Sequence, residues 1–199
     1  MATLYPIQSS TLHRPIDAII FDIGNVLLKF DYSLAIHAIV SRNKQSSPPK
    51  ESQVFQLRDS HERGDLTHAD FLAQVRLLFS DQGTEEEFIK DWAAIFEPNQ
   101  PMIDFVKARA ELNTHPLYLL SNIGKIHADY IQNTYAFLEH FEGAAFSYKL
   151  SSMKPEAAIF NRTSEKFALE KAHVLFIDDR LENVLAAQRH GWTSLHYDY

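Results

Sequence analysis

The chain has 199 residues, a net charge of -7, 45% hydrophobic and 23% charged residues, and no cysteine. That length supports one sizeable core, or a core with a small appended domain. The composition excludes disulfides, thiolate nucleophiles and thiolate metal sites, and the outnumbered, unclustered Lys and Arg carry no nucleic-acid footprint.

In chain order, residues 1–15 are mixed, hold two prolines and read as an irregular lead-in. Met1 to Pro15 lacks the unbroken apolar core of a signal peptide, and no apolar run approaches the ~18 residues of a membrane span, so a soluble cytoplasmic protein is expected. Ile16 to Phe21 is mostly apolar and ends in Asp22, as in a strand buried on both faces. Residues 32–100 carry helical patterns and no convincing strand: Leu34 to Val40, Val54 to His61, Phe71 to Phe79 and Phe88 to Phe96, with a turn-rich Ser46-Ser47-Pro48-Pro49 between the first two.

Ile103, Val106, Ala110 and Leu112 form the next apolar stripe. Leu117 to Leu120 reads as a strand ending in Ser121-Asn122, and Ala144 to Phe146 as a weaker one. A helical segment opens at Pro155, a favoured first helical residue, and carries Ala157, Ile159, Phe160, Phe167 and Leu169. His173 to Ile177 is a strand ending in Asp178-Asp179. A helix over Leu181, Val184, Leu185 and Ala187 closes at Gly191, and Thr193 to Tyr197 is a last weak strand. Strands alternating with helices predict an α/β fold with a parallel sheet. Tyr197, Tyr199 and Trp192 fit either core or interface, and monomer and homodimer both stay open.

Ligands of open α/β sheets bind at the carboxyl ends of the strands. Asp22, Ser121 and Asp178-Asp179 stand at three such ends, and Lys154, just before Pro155, can join them. Singly, each has a plainer use: an Asp at a strand end often caps the following helix, and an isolated Lys is a solvated surface residue. As an ordered set they resemble a known family. Phe21-Asp22-Ile23-Gly24-Asn25-Val26-Leu27, Ser121-Asn122, Lys154-Pro155, and Ile177-Asp178-Asp179 with Asn183 are similar to the four motifs of the haloacid dehalogenase-like hydrolases. The Gly-Asn-Val sequence and His61-Glu62-Arg63-Gly64-Asp65-Leu66 resemble the bacterial glucose-1-phosphate phosphatase branch.

The resemblance implies a doubly wound, Rossmann-like parallel core from residues 1–31 and 101–199, with a four-helix cap inserted over 32–100. It implies Asp22 as a nucleophile that forms an aspartyl-phosphate on a small phosphorylated metabolite. It implies Mg²⁺ held by Asp22, Asp179 and the Gly24 carbonyl, with Asp178 acting through water. Lys154 would supply positive charge, Ser121 and the Asn122 backbone N–H would bind phosphoryl oxygens, and Asn183 would hold the acidic loop. His61, Glu62 and Arg63 become candidate substrate contacts. The remaining histidines show no compact metal-ligand spacing.

Two departures from the family stand out. Its phosphatases usually carry a second Asp two residues after the nucleophile as general acid and base; here Gly24 has no side chain. General acid–base help is worth 10²–10⁴-fold, so its loss predicts a preference for activated esters such as sugar 1-phosphates. Alternatively, a cap residue such as His61 or Glu62 supplies the proton. The second departure is Ser151, where a Gly is common three residues before the lysine. Two rival activities share the scaffold: a metal-free 2-haloacid dehalogenase, and a non-catalytic binder of phosphate ligands. Adjacent acids beside the nucleophile repel one another without a cation, which favours metal binding over dehalogenation. A phosphomutase would need the missing Asp.

Overall fold

A computed structural model describes residues 3–6, 15–44 and 47–198. Its strands are β1 (Thr3–Pro6), β2 (Ala18–Phe21), β3 (Leu28–Phe30), β4 (Phe96–Pro98), β5 (Leu117–Ser121), β6 (Gly143–Phe146), β7 (Val174–Asp178) and β8 (Thr193–Asp198). Its helices are α1 (Tyr32–Arg42), α2 (Glu51–Arg63), α3 (His68–Leu78), α4 (Glu85–Ala93), α5 (Gln100–Leu112), α6 (Lys125–Thr134), the single-turn α7 (Ser147–Leu150), α8 (Ala157–Lys166) and α9 (Leu181–His190). No described helix is long and apolar enough to cross a membrane.

One sheet runs β1-β8-β7-β2-β5-β6. Its β8, β7, β2, β5 and β6 are parallel, and β1 joins antiparallel at the β8 edge. Both faces are covered, which is why the strands lack polar alternation. Ile19, Phe21, Leu119 and Ile177 pack with Met102, Ile103 and Val106 of α5 and Ala128 and Ile131 of α6. Ile20, Leu120 and Phe176 face the other way, onto Ile159 and Phe160 of α8 and Ala186 and Ala187 of α9. This is the expected doubly wound α/β architecture. The chain leaves β2 in one direction towards β5 and β6, and β7 and β8 lie on the other side. The carboxyl end of β2 is therefore the point where the winding reverses, and a crevice forms there.

The helices α1 to α4 follow β2 and have a core of their own, with Phe71, Phe79, Phe88 and Trp92 wholly buried. Local signals set their ends. Asp31 caps α1 through Ser33 N, Thr67 caps α3 through Asp70 N, and Thr84 forms a reciprocal capping box with Glu87 at α4. Gly64 ends α2 in the left-handed region, at φ 85°, which glycine enters at little cost.

Several elements differ from the sequence reading. The lead-in contains β1, paired with β8 from Thr3↔Asp198 to Pro6↔Leu195; residues 7–14 lie outside the described residues. The last pattern of the insertion stops at Ala93. Phe96 leaves it for β4 and pairs with Phe30 in a short antiparallel ribbon with β3, a tertiary contact that overrides the local helical pattern. Helix α6 had no assignment: its buried Ile126, Ala128 and Ile131 are diluted among Lys125, His127, Asp129 and Gln132. Pro155 precedes the cap residue Glu156 and is not the first residue of α8, and Phe167 and Leu169 fall beyond its end. Trp192 and Tyr197 are core residues, while Tyr199 lies outside the described residues.

Candidate active site

Four segments meet at the carboxyl edge of the sheet. Asp22 follows β2, Ser121 ends β5, Asp178 ends β7, and Lys154 rises from the loop between α7 and α8. The Lys154 side chain is buried, and its Nζ lies 2.8 Å from Asp22 Oδ1, 2.6 Å from Asp178 Oδ2 and 3.0 Å from the Leu120 carbonyl. Three acceptors match the three protons of an ammonium, so its charge is fixed in place.

Asp178 is fully buried and completely engaged. Besides Lys154 it accepts from Arg180 N at 2.9 Å and from Asn183 Nδ2 at 2.9 and 3.1 Å. Asp178 thus orients Lys154 and anchors the start of α9. Asp179 turns into the crevice, where Asn25 Nδ2 donates to its Oδ2 at 3.0 Å and His196 Nε2 donates to its carbonyl at 2.8 Å. Asn122 makes a two-bond clamp: its Nδ2 donates to the Lys154 carbonyl at 2.9 Å, and its Oδ1 accepts from Lys154 N at 2.8 Å. The Ser147 hydroxyl supports the same turn by bonding both Ile123 N and Ile123 O.

Charge is unbalanced here. Asp22, Asp178 and Asp179 each place a carboxylate oxygen within 4.8 Å of the others, against one ammonium. Burial pushes the Asp22 carboxyl up to about 7; Lys154 opposes the rise, and the neighbouring Asp178 and Asp179 add to it. Burial also raises Asp179, against the Asn25 hydrogen bond. For Lys154, burial works to lower the pKa, but Asp178 and Asp22 outweigh it and hold the ammonium above its ordinary range. An oxygen-only donor set with surplus negative charge suits a hard divalent cation of the Mg²⁺ type. Asn183, on the same wall, has its Oδ1 buried without a hydrogen-bond partner among the described residues.

A cavity of about 390 Å³ opens over these residues, and Tyr32 of α1 and Arg58 and Asp59 of α2 also line it. Ser121, Asn122, Lys154 and Gly24 line it, as do Glu62 and Arg63 of α2. Glu62 is buried, and Tyr32 Oη donates to its Oε1 at 3.0 Å. Burial pushes the Glu62 carboxyl up to about 7, with Arg58 and the Tyr32 hydrogen bond opposing. Arg63 pairs with Glu156 just beyond Pro155, which ties α2 to the lysine loop. Gly64 makes that approach possible, because a Cβ there would lie 2.8 Å from the Tyr148 carbonyl.

His61 does not line the cavity. Its ring stacks on Phe71 at 4.3 Å and packs against Gly124, where a neutral ring fits a buried joint; burial, with His68 near, takes its pKa down to about 4. Gly24 also has a spatial reason. A Cβ on it would lie 2.8 Å from the Phe30 ring, so the ring occupies the room a side chain would need. The sequence reading gave no role to Asn25, Tyr32, Arg58 or His127, all of which line the cavity. Of these only Asn25 had a signal, since it sits inside the first motif.

Comparison with known proteins fits this geometry. A family model, haloacid dehalogenase-like hydrolase, matches residues 16–191. The chain belongs to the haloacid dehalogenase-like hydrolase family. The sesquiterpene phosphatase astK of Aspergillus oryzae is 24% identical over 180 residues, covering 90% of this chain and 88% of that protein. The family enzyme bt-2542 of Bacteroides thetaiotaomicron, solved as the wild type in complex with magnesium and inorganic phosphate, is 25% identical with a TM-score of 0.77, over 91% of this chain and 93% of that one. The L-2-haloacid dehalogenase of Xanthobacter autotrophicus shares the fold at a TM-score of 0.62 and 16% identity, over 90% of this chain and 76% of that one.

Proposed function

We propose that this protein is a Mg²⁺-dependent phosphatase that hydrolyses a small phosphate monoester through an aspartyl-phosphate on Asp22. The observation that carries this reading is the Lys154 ammonium seated between Asp22 and Asp178, with Asp179 completing a three-carboxylate cluster at the reversal point of the sheet. The phosphatase and magnesium–phosphate relatives support it. The cluster also weighs against a metal-free dehalogenase, for which three close carboxylates would be a repulsive burden. A binder that had lost its chemistry would have no use for a lysine held this tightly against Asp22.

Asp22 and Asp179, with the Gly24 carbonyl, would hold the cation. When bound, it would neutralise charge on the phosphoryl oxygens and on the nucleophile. Asp22 Oδ1 accepts from Lys154 and from Ile23 N at 2.7 Å, which fixes the carboxylate in place for attack on phosphorus. Lys154 offsets the charge that builds on the transferring group, and the Ser121 hydroxyl and Asn122 N–H bind its oxygens. The insertion, residues 32–100, acts as a cap on the core of residues 1–31 and 101–199, with the β3–β4 ribbon at the joint. Arg58, Asp59, Glu62 and Arg63 of α2 give that cap a polar wall facing the phosphate site, suited to the hydroxyls of a sugar phosphate such as glucose 1-phosphate.

The test is phosphate release from purified protein over a panel holding glucose 1-phosphate, glucose 6-phosphate and a prenyl monophosphate, with Mg²⁺ and with chelator. The proposal expects turnover that needs both Mg²⁺ and Asp22 and favours a sugar phosphate. Turnover undiminished in chelator or in Asp22→Asn would overturn the mechanism, and preference for the prenyl ester would overturn the substrate class.

A further inference from the structure

We infer that Glu62 is the acid–base group that the first-motif loop lacks, and that Tyr32 and His127 keep its hydrogen bonds complete in both protonation states. The inference rests on the phosphatase reading above. It starts from the first-motif loop, which offers no acid two residues after Asp22: position 24 has no side chain, and the Phe30 ring fills the space one would take. Among the described residues, five carboxyl groups line the cavity: Asp22, Asp59, Glu62, Asp179 and Glu182. Asp22 and Asp179 belong to the charged cluster. Asp59 and Glu182 are half exposed and paired with Arg58 and Arg180. Glu62 alone is both buried and outside the cluster, with Arg58 Nε at the edge of ion-pair range, 3.9 Å from its Oε1.

The groups behind Glu62 make a directional chain. His127, on α6, places Nε2 2.9 Å from the Trp92 carbonyl. A carbonyl only accepts, so Nε2 carries the proton and Nδ1 is a bare acceptor. Burial keeps this ring neutral by taking its pKa down to about 4. Tyr32 Oη stands between, 3.0 Å from Glu62 Oε1 and 3.4 Å from His127 Nδ1. With Glu62 ionised, the tyrosine hydroxyl donates to the carboxylate. With Glu62 protonated on Oε2, Oε1 still accepts from the tyrosine hydroxyl and the proton is available for transfer; with the proton on Oε1, the carboxyl donates to Tyr32 Oη, and the tyrosine proton turns to His127 Nδ1. Neither state leaves a buried donor unpaired, a defect that would cost about 1–3 kcal/mol. A carboxyl that holds and releases a proton without penalty, facing the nucleophile across a reaction-sized cavity, has the properties of a general acid and base.

The chemistry balances. As the Asp22 carboxylate bonds to phosphorus and the ester P–O bond breaks, the Glu62 carboxyl gives its proton to the leaving oxygen and the alcohol departs. The Glu62 carboxylate then takes a proton from a water whose oxygen bonds to phosphorus as the Asp22 acyl-phosphate bond breaks. Inorganic phosphate leaves, and Glu62 is again protonated. The other charged or titratable groups facing Glu62 are Arg58 and Asp59 on its own helix and Asp22 across the cavity.

The experiment compares Glu62→Gln with wild type on two esters in Mg²⁺, glucose 6-phosphate with a poor leaving group and p-nitrophenyl phosphate with a good one. kcat/KM reports the steps up to the aspartyl-phosphate. The expected result is a fall of about 10²-fold or more on glucose 6-phosphate and less than about 10-fold on the aryl ester. The variant should also release a burst of nitrophenol equal to the enzyme, followed by slow turnover, because dephosphorylation has lost its base. Equal losses on the two esters, or no loss on either, would overturn the inference. Wild type silent on both esters and on glucose 1-phosphate would instead remove the phosphatase reading. Tyr32→Phe gives a second readout if Glu62→Gln does not fold: loss of the hydrogen bond to the carboxylate should move the Glu62 limb of the kcat/KM–pH profile to higher pH, and an unmoved limb would overturn the inference.

Discussion

Replacing Lys154 with Met tests the charge balance of the site without reference to any substrate. The side chain keeps its length and loses the ammonium that lies 2.8 Å from Asp22 and 2.6 Å from Asp178, all three side chains being buried. Removing one partner of a buried ion pair costs about 3–5 kcal/mol, because the remaining charge stays desolvated. Against a total stability of about 5–15 kcal/mol, that is about a fifth or more of the fold's margin. The loss should depend on pH. Asp22 stands at about 7 even with Lys154 present, and without it the carboxyl rises further. The folded variant therefore binds a proton that the unfolded chain, with an ordinary carboxyl near pH 4, has already lost. Stability then falls as pH rises through that window. Urea unfolding of both proteins without divalent cations, at pH 5 and pH 8, gives the comparison. The deficit should be larger at pH 8. A deficit below about 1 kcal/mol at pH 8, as for an exposed pair, or an equal deficit at both pH values, would refute the reasoning.

Three further outcomes follow from the same geometry. Gly24→Asp should not create a better enzyme: its Cβ would lie 2.8 Å from the ring of Phe30, which is exposed and can swing aside, so thermal denaturation should show a loss of less than about 1 kcal/mol while kcat does not rise. Asn122→Ala removes both bonds of the clamp on the Lys154 backbone, and kinetics should show kcat falling at least tenfold with a smaller change in KM. His127 has its folded pKa depressed to about 4 from 6.5 by burial, so the unfolded state binds the extra proton and stability falls as pH drops from about 6.5 to 4. That contribution is roughly 3 kcal/mol, and urea unfolding of His127→Phe should show a shallower acid loss than wild type.

The parallel sheet was readable because its strands are buried on both faces. Ile19-Ile20-Phe21 and Leu175-Phe176-Ile177 are continuous apolar runs whose alternate residues serve two different cores. The placement of the strand-end residues was equally legible, since polar residues that interrupt such runs stand at the crevice by topology alone. What escaped depends on contacts distant in sequence. Phe96 looks like the end of a helical stripe until Phe30 is beside it. His61 looks like a site residue because it adjoins Glu62 and Arg63, yet one step along α2 turns its ring to Phe71 and away from the cavity. Tyr32 and His127 lie 95 residues apart and meet only after α6 packs against the insertion, and α6 itself had no pattern strong enough to read. Gly24 was visible as a missing side chain, but the Phe30 ring that fills its place was not.

The most direct measurement of the central claim is chemical. Wild-type protein mixed with a phosphate ester and Mg²⁺ is quenched in acid on the millisecond scale, digested, and its peptides weighed. The account predicts that the peptide spanning Asp22 carries one phosphoryl group, that hydroxylamine removes it, and that Asp22→Asn shows none. Phosphate released at full rate with no phosphoryl group on that peptide, or a phosphoryl group on another residue, would contradict it.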